Sequence, residues 1–229
     1  MKIEILSAVP EIFVSVINSS IIKRSIEKGK VVINLHNLHN YSDNKFGHID
    51  DAPYGGASGM LIKCEPVFKC IDELLSKEDY QKIIFMSADG VKLNQTISNE
   101  ISLLDNIIII CGHYKGIDQR IRDYYKTYDI SIGDFVLTGG ELAALVLIDS
   151  IIRLIPGVIG DATSALDDSF MDGMLESPQY TRPAEFRGMK VPDVLLSGNP
   201  KLISEWQQNK SYEKTLKIRP DLIDGENEA

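Results

Sequence analysis

The fold class is decided by one stretch of the sequence, residues 131–149, which reads SIGDFVLTGGELAALVLID. This stretch has the pattern of a strand end, a turn with two adjacent glycines, and then an apolar helix. Glycine-rich turns between a strand and a helix often bind anionic ligands, because the N–H groups of the helix N-terminus point outward there. This turn has no lysine placed to meet a phosphate, so its ligand must be inferred from the rest of the chain.

Short apolar runs alternate with helical periods over residues 1–155, as they do in a parallel sheet with covering helices. We predict strands at residues 2–7, 31–35, 82–87, 106–111 and 129–132. We predict helices at residues 10–27, 65–75, 94–103 and 117–124, besides the apolar helix at 142–151. The run IIII at 107–110 indicates a central strand covered on both faces. The sequence therefore predicts one α/β domain with a mostly parallel sheet.

The composition is that of a globular protein with a substantial core, since 44% of the 229 residues are hydrophobic and 25% are charged. The segment MKIEILSAVPEIF has no signal-peptide cleavage pattern, and no run of about 18 apolar residues occurs. We therefore expect a soluble, cytoplasmic protein. The three cysteines match no zinc spacing, and His36 and His39 lack neighbours that would complete a ligand set, so we expect no metal site.

The periodic pattern lapses twice, at residues 37–60 and 155–187, where Gly, Pro, Asp and Asn accumulate. Long loops in compact domains are usually functional or disordered. A helical period returns at residues 200–217. We therefore predict an α/β domain at 1–160, a linker loop at 161–175 and a small helical domain at 176–229.

The net charge of −9 argues against non-specific binding to nucleic acid, because Lys and Arg supply most of the affinity for phosphates. The charge is uneven along the chain, however. Residues 176–220 carry eight Lys and Arg against five Asp and Glu, a local excess of three positive charges. This excess is compatible with an acidic partner for the C-terminal domain, and it is also compatible with simple surface solubility.

Three glycine-bearing turns end predicted strands, at residues 87–90, 112–116 and 131–140. Ligands of open α/β sheets bind beyond the carboxyl ends of the strands, so three such turns could surround one cofactor. The alternative is that each glycine only permits a tight turn. None of the turns matches the dinucleotide or P-loop patterns, which favours a nucleoside ligand without a phosphate chain.

Polar residues in the second irregular segment, 155–187, are weaker candidates for functional residues. Asp167 and Asp168 are adjacent in TSALDDSF, and such pairs are usually solvated or cap helices, although a catalytic role is also open. Arg182 and Arg187, in QYTRPAEFRG, could contact phosphate or could serve only solubility. Residue type alone does not decide between these readings.

Seven segments in order along the chain resemble the bacterial tRNA (guanine-N1)-methyltransferases of the TrmD family, which belong to the SPOUT class. The matching segments are PYGGASGM, CGHYKGIDQR, SIGDFVLTGGELAAL, IDSIIRLIPGV, DDSF, SPQYTRPAEFRGMKVPDVLLSGNP and LKIRPDL. They span nearly the whole chain. The resemblance implies an α/β domain with a deep trefoil knot, an obligate homodimer, and a helical C-terminal domain that binds tRNA.

The resemblance also implies that S-adenosylmethionine lies bent in the knot, held by the three glycine-bearing turns. The expected cofactor-binding residues are Met86, Ser87, Ala88, Gly112, Tyr114, Lys115, Ser131, Ile132, Gly133, Phe135, Leu137, Thr138, Gly139 and Gly140. The double glycine would then approach an adenosine and a methionine group through its backbone, which needs small residues and no phosphate lysine.

By the same resemblance, the methyl group goes to N1 of the guanine directly 3′ of the anticodon. Asp168 is expected to be the base that accepts the N1 proton, and Arg153 the cation that stabilises charge on the guanine oxygen, in active sites at the subunit interface. The expected substrate-binding residues are Tyr54, Gly55, Gly56, Gly59, Asp118, Arg182 and Arg187. A Mg²⁺ requirement is associated with the family, but the sequence shows no dedicated carboxylate cage.

Three positions depart from the family pattern. The family usually has an acidic residue in place of Lys115, proline in place of Ala88 and glycine in place of Ala57. Lys115 reverses a charge beside the expected cofactor, where the resemblance implies polar contacts to the methionine end. A catalytically silent RNA-binding relative is therefore the alternative to an active enzyme.

Overall fold

The computed structural model describes residues 1–159 and 168–223. The chain divides into two compact units, Met1–Gly160 and Asp161–Ala229. Residues 161–167 of the predicted linker, Asp167 among them, lie outside the described residues. The predicted domain boundaries stay predictions.

The first unit alternates strands and helices along the chain. Its strands are β1 (Lys2–Ser7), β2 (Val32–Asn37), β3 (Asp50–Asp51), β4 (Leu61–Ile62), β5 (Lys82–Lys92), β6 (Asn106–Cys111) and β7 (Tyr128–Ser131). Its helices are α1 (Glu11–Ile17), α2 (Ser20–Glu27), α3 (Cys64–Leu75), α4 (Gln95–Ser102), α5 (Gln119–Tyr125) and α6 (Glu141–Ile152).

Five strands form one parallel sheet in the order β2-β1-β6-β5-β7. The middle strand, β6, is buried from Ile107 to Cys111. Its alternate side chains enter two different apolar clusters, with Ile109 in one and Ile110 in the other. The prediction of an α/β fold with a parallel sheet, and of a central strand covered on both faces, is confirmed. The trefoil knot stays a prediction.

The prediction of a single helix at 10–27 is wrong, because the structure has two helices there, α1 and α2. The side chains of Asn18 and Ser19 donate hydrogen bonds to the carbonyl oxygens of Val14 and Ser15, at 2.8 Å and 2.6 Å. Side chains that bond to the preceding turn compete with the backbone of a helix. Ser20 adopts a positive φ of 50°, which completes the break.

β5 is longer than predicted because it contains a bulge. Its pairing with β7 stops after Met86 and resumes at Val91, so residues 87–90 loop out of the ladder. A bulge re-aims side chains at the edge of a sheet and commonly lies next to a functional site. The bulge of β5 contains the first of the three glycine-bearing turns.

The segment at 37–60 is less irregular than the sequence suggests. A short 3₁₀ helix occupies Leu38–Tyr41, and β3 pairs with β4 in an antiparallel ladder. The N–H of Ile62 then donates a hydrogen bond of 3.0 Å to the carbonyl oxygen of Gly116. This bond ties the end of the segment to the turn that follows β6.

The described part of the second unit contains a two-stranded hairpin, two α-helices and a short 3₁₀ helix at Pro220–Leu222. Its elements are β8 (Glu185–Phe186), β9 (Met189–Lys190), α7 (Asp193–Leu196) and α8 (Pro200–Ile218). The side chain of Asn199 caps α8 by accepting hydrogen bonds from its first turn, and Pro200 is the first helical residue. The helix predicted at 200–217 is therefore confirmed. Among the described helices, none has the length and apolar character needed to cross a membrane.

Candidate functional site

The bulge of β5 and the turns at the carboxyl ends of β6 and β7 surround one open cavity with a volume of about 370 Å³. All fourteen residues expected to bind a cofactor line it: Met86, Ser87, Ala88, Gly112, Tyr114, Lys115, Ser131, Ile132, Gly133, Phe135, Leu137, Thr138, Gly139 and Gly140. A cavity at this edge of a parallel sheet is where such folds bind ligands. The structure thus brings together residues that are up to 54 positions apart, from Met86 to Gly140.

The double-glycine turn is packed against the turn after β6. The N–H of Gly140 donates a hydrogen bond of 2.6 Å to the carbonyl oxygen of Gly112, and Gly139 forms an isolated β-bridge with His113. A Cβ atom at position 140 would lie 2.8 Å from the Gly112 nitrogen and 3.1 Å from the Cys111 Cα atom. Only glycine lets these two backbones meet, which explains the glycine without a phosphate ligand.

An arginine holds the bulge of β5 against β7. Arg122 Nε donates a hydrogen bond of 2.8 Å to Asp129, and its terminal nitrogens lie 3.2 Å from a carboxylate oxygen of Asp89. Ser87 also donates to Asp89. The hydrogen bond from Ser87, together with the Arg122 guanidinium, lowers the pKa of Asp89. The bulge that supplies Ser87 and Ala88 to the cavity wall is therefore held by an ion pair.

A buried carboxylate lies beneath the double glycine. Glu141 is 1% exposed and accepts a hydrogen bond of 2.8 Å from Ser7 Oγ. His113 Nδ1 lies 3.8 Å from the other carboxylate oxygen and has no hydrogen-bond partner among the described residues. Glu141 therefore links β1 to the first turn of α6, next to Gly139 of the double glycine.

Sequence reasoning missed Phe85, Ile130 and Ala143 of the cavity wall, which lie outside the predicted turns. It included His113, Gly116 and Val136 only as members of the turns at 112–116 and 131–140, without singling them out. His113 and Gly116 lie inside the quoted motif CGHYKG, so that motif was the signal that could have found them. The apolar residues have no chemical signature of their own: Phe85, Ile130 and Ala143 are buried, and Val136 is exposed.

The glycine-rich loop expected to bind substrate ends at the cavity. Tyr54 is almost fully exposed, and Gly55, Gly56 and Gly59 have positive φ angles. The N–H of Lys115 donates a hydrogen bond of 3.0 Å to the carbonyl oxygen of Met60. The loop is thus anchored to the turn after β6, and its tip is open to a large ligand.

Asp118, also expected to bind substrate, is engaged inside the chain. Its carboxylate caps α5 by accepting a hydrogen bond from the N–H of Arg120, and it forms a bidentate ion pair with that guanidinium at 2.9 Å and 2.7 Å. The hydrogen bond from Arg120 lowers the pKa of Asp118. The structure thus gives Asp118 a capping role, and its contact with substrate stays a prediction.

The other two expected substrate residues lie in the second unit, and both are exposed. Arg187 lies in the turn between β8 and β9, with its guanidinium 5.3 Å from the centre of the Phe186 ring. Among the described residues, neither Arg182 nor Arg187 has a carboxylate within ion-pair distance. Both guanidinium groups can therefore meet an external anion.

The two residues of the expected catalytic pair lie in different units, and Arg153 of the first unit is not among the residues that line the cavity. Arg153 follows the last residue of α6 and lines a separate shallow groove with Gln95, Val146 and Asp149. Asp168 belongs to the second unit and is half-buried, with its backbone oxygen accepting a hydrogen bond of 3.3 Å from Met171. Their roles stay predictions.

Within residues 1–159 and 168–223, no group of three or more His, Cys, Asp or Glu side chains is arranged to hold a metal ion. Cys64, Cys70 and Cys111 are free thiols. Burial raises the pKa of Cys111 well above its ordinary value, so this thiol beside the cavity is not a nucleophile at neutral pH.

The chain is similar to known proteins over nearly its whole length. Residues 1–225 match the family model described as tRNA (Guanine-1)-methyltransferase TrmD. The chain is 55% identical over 226 residues to a tRNA (guanine-N(1)-)-methyltransferase of Christiangramia forsetii, covering 99% of this chain and all of the relative. Relatives of the same name from Flavobacterium psychrophilum and Bacteroides thetaiotaomicron are 52% and 51% identical over 224 residues, covering 98% of this chain and all of each relative.

Proposed function

This chain belongs to the TrmD family of tRNA (guanine-1)-methyltransferases, and from that premise we propose how it carries out N1 methylation of guanine in tRNA. S-adenosylmethionine occupies the cavity beyond β5, β6 and β7, and the target is the guanine directly 3′ of the anticodon. The observation that carries the proposal is the convergence of the three glycine-bearing turns on that single cavity.

The cavity fits a nucleoside with an amino-acid arm. Its volume of about 370 Å³ is in the usual range for small-molecule sites. Phe135, Leu137 and Ile132 offer apolar surface for a base, while the turns around Gly112 and Gly140 offer backbone N–H and C=O groups. S-adenosylmethionine supplies, when bound, a methyl group on a positively charged sulfur. No phosphate-binding element is needed for such a ligand.

Methylation of neutral guanine requires a base. A bond forms between N1 and the methyl carbon, the carbon–sulfur bond breaks, and the N1 proton has to leave. We assign Asp168 as the acceptor of that proton and Arg153 as the cation facing the guanine oxygen. Support for this assignment comes from the positions of both residues in motifs shared with the family and from their chemistry.

We further propose a homodimer with active sites at the subunit interface. One face of α6 is apolar and exposed, with Leu142 at 53% and Val146 at 48% of full exposure. Asp149 and Arg153 continue the same face, since residues three and four apart are neighbours on a helix. A second subunit packed on this face would bury the apolar side chains and would contact Arg153.

The second unit is the proposed tRNA-binding part, corresponding to the domain at 176–229 that follows the linker at 161–175. Arg182 and Arg187 are its candidate phosphate contacts, because both are exposed and have no carboxylate partner among the described residues. We propose the cytoplasm as the compartment, where tRNA and three reduced cysteines are both expected. We assign no Mg²⁺ site to the described residues.

The test is methyl transfer from labelled S-adenosylmethionine to two tRNA transcripts that differ only at the position 3′ of the anticodon, one with guanine and one with adenine. We expect label only in the guanine transcript, recovered as 1-methylguanosine after digestion. Separate titrations with the cofactor and with tRNA distinguish an enzyme from a silent RNA-binding relative, which would bind tRNA but not the cofactor. Label at another guanine would contradict the proposed target position.

A further inference from the structure

The cavity contains one charged side chain. Of the twenty residues that line it, Lys115 is the only one that is Lys, Arg, Asp or Glu. The Lys115 ammonium has no carboxylate within ion-pair distance among the residues that the structure describes. The described cavity wall therefore carries a single positive charge without an internal counter-charge.

The chain confines this lysine to the cavity mouth. Its N–H is bonded to Met60, and its carbon chain runs along Gly59. A Cβ atom at position 59 would lie 2.7 Å from Lys115 Cγ and 3.2 Å from Cε. The absence of a side chain at Gly59 thus leaves room for the lysine stem, and the glycine-rich loop holds the stem at the edge of the cavity.

The charges of the cofactor determine which of its groups can lie near Lys115. S-adenosylmethionine carries a positive sulfonium, a positive ammonium and a negative carboxylate. A lysine ammonium attracts only the carboxylate and repels the other two groups. An N⁺–H···O⁻ hydrogen bond at this place also orients the methionine arm, with its sulfur held away from the lysine.

We propose that Lys115 recognises the carboxylate of the cofactor's methionine arm, and so selects ligands that carry this group. The proposal rests on the proposed function, since it takes the cavity to be the cofactor site. A tRNA phosphate is the competing anionic partner for an exposed lysine. The cavity wall favours the carboxylate, because Lys115 lies in that wall beside the backbone groups of Gly112 and Gly116.

Calorimetric titration of the full-length protein with two ligands tests this idea. S-adenosylhomocysteine has the carboxylate, and 5′-methylthioadenosine lacks the whole amino-acid arm. The substitution Lys115→Met keeps the stem and removes the charge. We expect it to weaken S-adenosylhomocysteine binding by roughly 5- to 30-fold, a range reduced for the exposure of the pair, and to leave methylthioadenosine binding within about twofold.

Two further variants serve as controls. Lys115→Arg should retain most of the preference for S-adenosylhomocysteine, because it keeps the positive charge. Lys126 is an exposed lysine outside the cavity wall, so Lys126→Met should change the affinity for neither S-adenosylhomocysteine nor methylthioadenosine. On the wild-type protein, decarboxylated S-adenosylhomocysteine should bind at least about fivefold more weakly than the parent compound, which tests the same contact without any substitution.

Several outcomes overturn the proposal. Equal affinities of the Lys115→Met variant and the wild type for S-adenosylhomocysteine would exclude the contact, and equal losses for both ligands would indicate a distorted cavity instead. A loss confined to tRNA affinity would identify a phosphate as the partner. Failure of the wild type to bind either nucleoside would refute the proposed cofactor cavity itself, and would be seen before any variant is made.

Discussion

The backbone N–H of Gly140 donates a hydrogen bond of 2.6 Å to the carbonyl oxygen of Gly112. This bond joins the turn before α6 to the turn after β6, and both turns line the cavity. The shape of the cavity therefore depends on a backbone contact between two residues 28 positions apart in the sequence.

We expect Gly140→Ala to deform the cavity. The added Cβ would lie 2.8 Å from the Gly112 nitrogen and 3.1 Å from the Cys111 Cα atom, and backbone atoms cannot rotate away as a side chain does. Overpacking of this kind typically costs about 1–3 kcal/mol of unfolding free energy. We expect the affinity for S-adenosylmethionine, measured by calorimetry, to fall at least about tenfold, since the turns would separate.

Gly29→Ala is the matched control for this substitution. Gly29 has a φ of 66° and no atom within 4 Å of its would-be Cβ, so alanine there is strained but meets nothing. We expect a loss of about 1 kcal/mol in stability with no change in cofactor affinity. Wild-type affinity in the Gly140 variant would show that the contact does not shape the cavity.

We expect the folded state to lose stability at low pH, in part because of a buried carboxylate on β1. Glu4 is 1% exposed, and the groups around its carboxylate are His36 at 2.6 Å, Asn34 at 3.0 Å, and Lys2 and Tyr80 at 3.1 Å. Burial alone would raise the pKa of Glu4, but the hydrogen bonds from His36, Asn34 and Lys2 outweigh it and lower the pKa from 4.5 to about 2.

A lowered pKa means that the ionised Glu4 stabilises the folded state above pH 4.5, and that this contribution is lost as the pH falls towards 2. Glu4→Gln should therefore lower the unfolding free energy at pH 7, by on the order of 3 kcal/mol. It should also flatten the dependence of that free energy on pH between 4.5 and 2. Urea denaturation at several pH values measures both effects. Glu27→Gln, at an exposed position on α2, should leave the unfolding free energy and its dependence on pH unchanged.

Dimerisation is expected to depend on the exposed face of α6. Val146→Asp places a charge in the centre of the proposed interface, whose burial without a partner is costly. Light scattering at micromolar concentration should show a dimer for the wild type and a monomer for the variant. Val14→Asp is the control, because Val14 has nearly the same exposure, 50%, on a different helix.

An obligate interface of this kind should bury more than about 2,000 Å². A wild-type protein that is monomeric and fully active would refute both the dimer and the shared active site. Loss of the dimer in the Val14 variant as well would mean that the interface extends beyond α6.

The sequence predicted the strands that are fixed by local pattern and missed the features that depend on distant contacts. β1 and β6 begin and end as predicted, because apolar residues bounded by polar ones mark a buried strand. The apolar run is continuous in β6 and is interrupted only by Glu4 in β1. The bulge in β5 could not be predicted, because it exists only through pairing with β7. The break between α1 and α2 was legible in principle from Asn18 and Ser19, whose side chains compete with the helix backbone.

In the candidate site, too, the sequence predicted what local motifs determine and missed what depends on distant contacts. The residues expected to bind the cofactor were collected from motifs, and the structure brings all of them to one cavity. Glu141 was missed because an acidic residue in the first turn of a helix is normally a solvated group that complements the helix dipole. Its burial depends on Ser7, which lies 134 positions away in the sequence.

Binding of tRNA should depend on the two exposed arginines of the second unit. We expect the double substitution Arg182→Ala with Arg187→Ala to weaken tRNA binding by roughly tenfold near 0.1 M salt, and to reduce the salt dependence by about one unit of slope for each lost phosphate contact. Filter binding over a salt series measures both quantities. Cofactor affinity should not change.

Lys201→Ala is the control for these arginines, because this lysine is exposed but lies 4.0 Å from Glu205. Removing a lysine that already has a carboxylate partner should affect tRNA binding little. An unchanged salt slope in the double variant would show that the second unit contacts tRNA through other groups.

The chemical step should depend on Asp168. The substitution Asp168→Asn keeps the size of the side chain and removes the proton acceptor, so the single-turnover rate of methyl transfer should fall by roughly 10²–10⁴. The affinity for S-adenosylmethionine should barely change, because Asp168 follows the three cofactor turns along the chain and belongs to none of them. Arg153→Ala should also slow the chemical step, since it removes the cation assigned to the guanine oxygen.

Two neighbouring carboxylates test whether the assignment is specific to Asp168. Asp172 is exposed and accepts a hydrogen bond of 3.1 Å from the N–H of Met174, so Asp172→Asn should leave the single-turnover rate within about twofold. Asp167, which lies outside the described residues, should behave in the same way when replaced by Asn. A slow Asp167→Asn variant beside a fast Asp168→Asn variant would move the role of base to Asp167. Normal rates in both would mean that the N1 proton leaves to a group other than these two carboxylates.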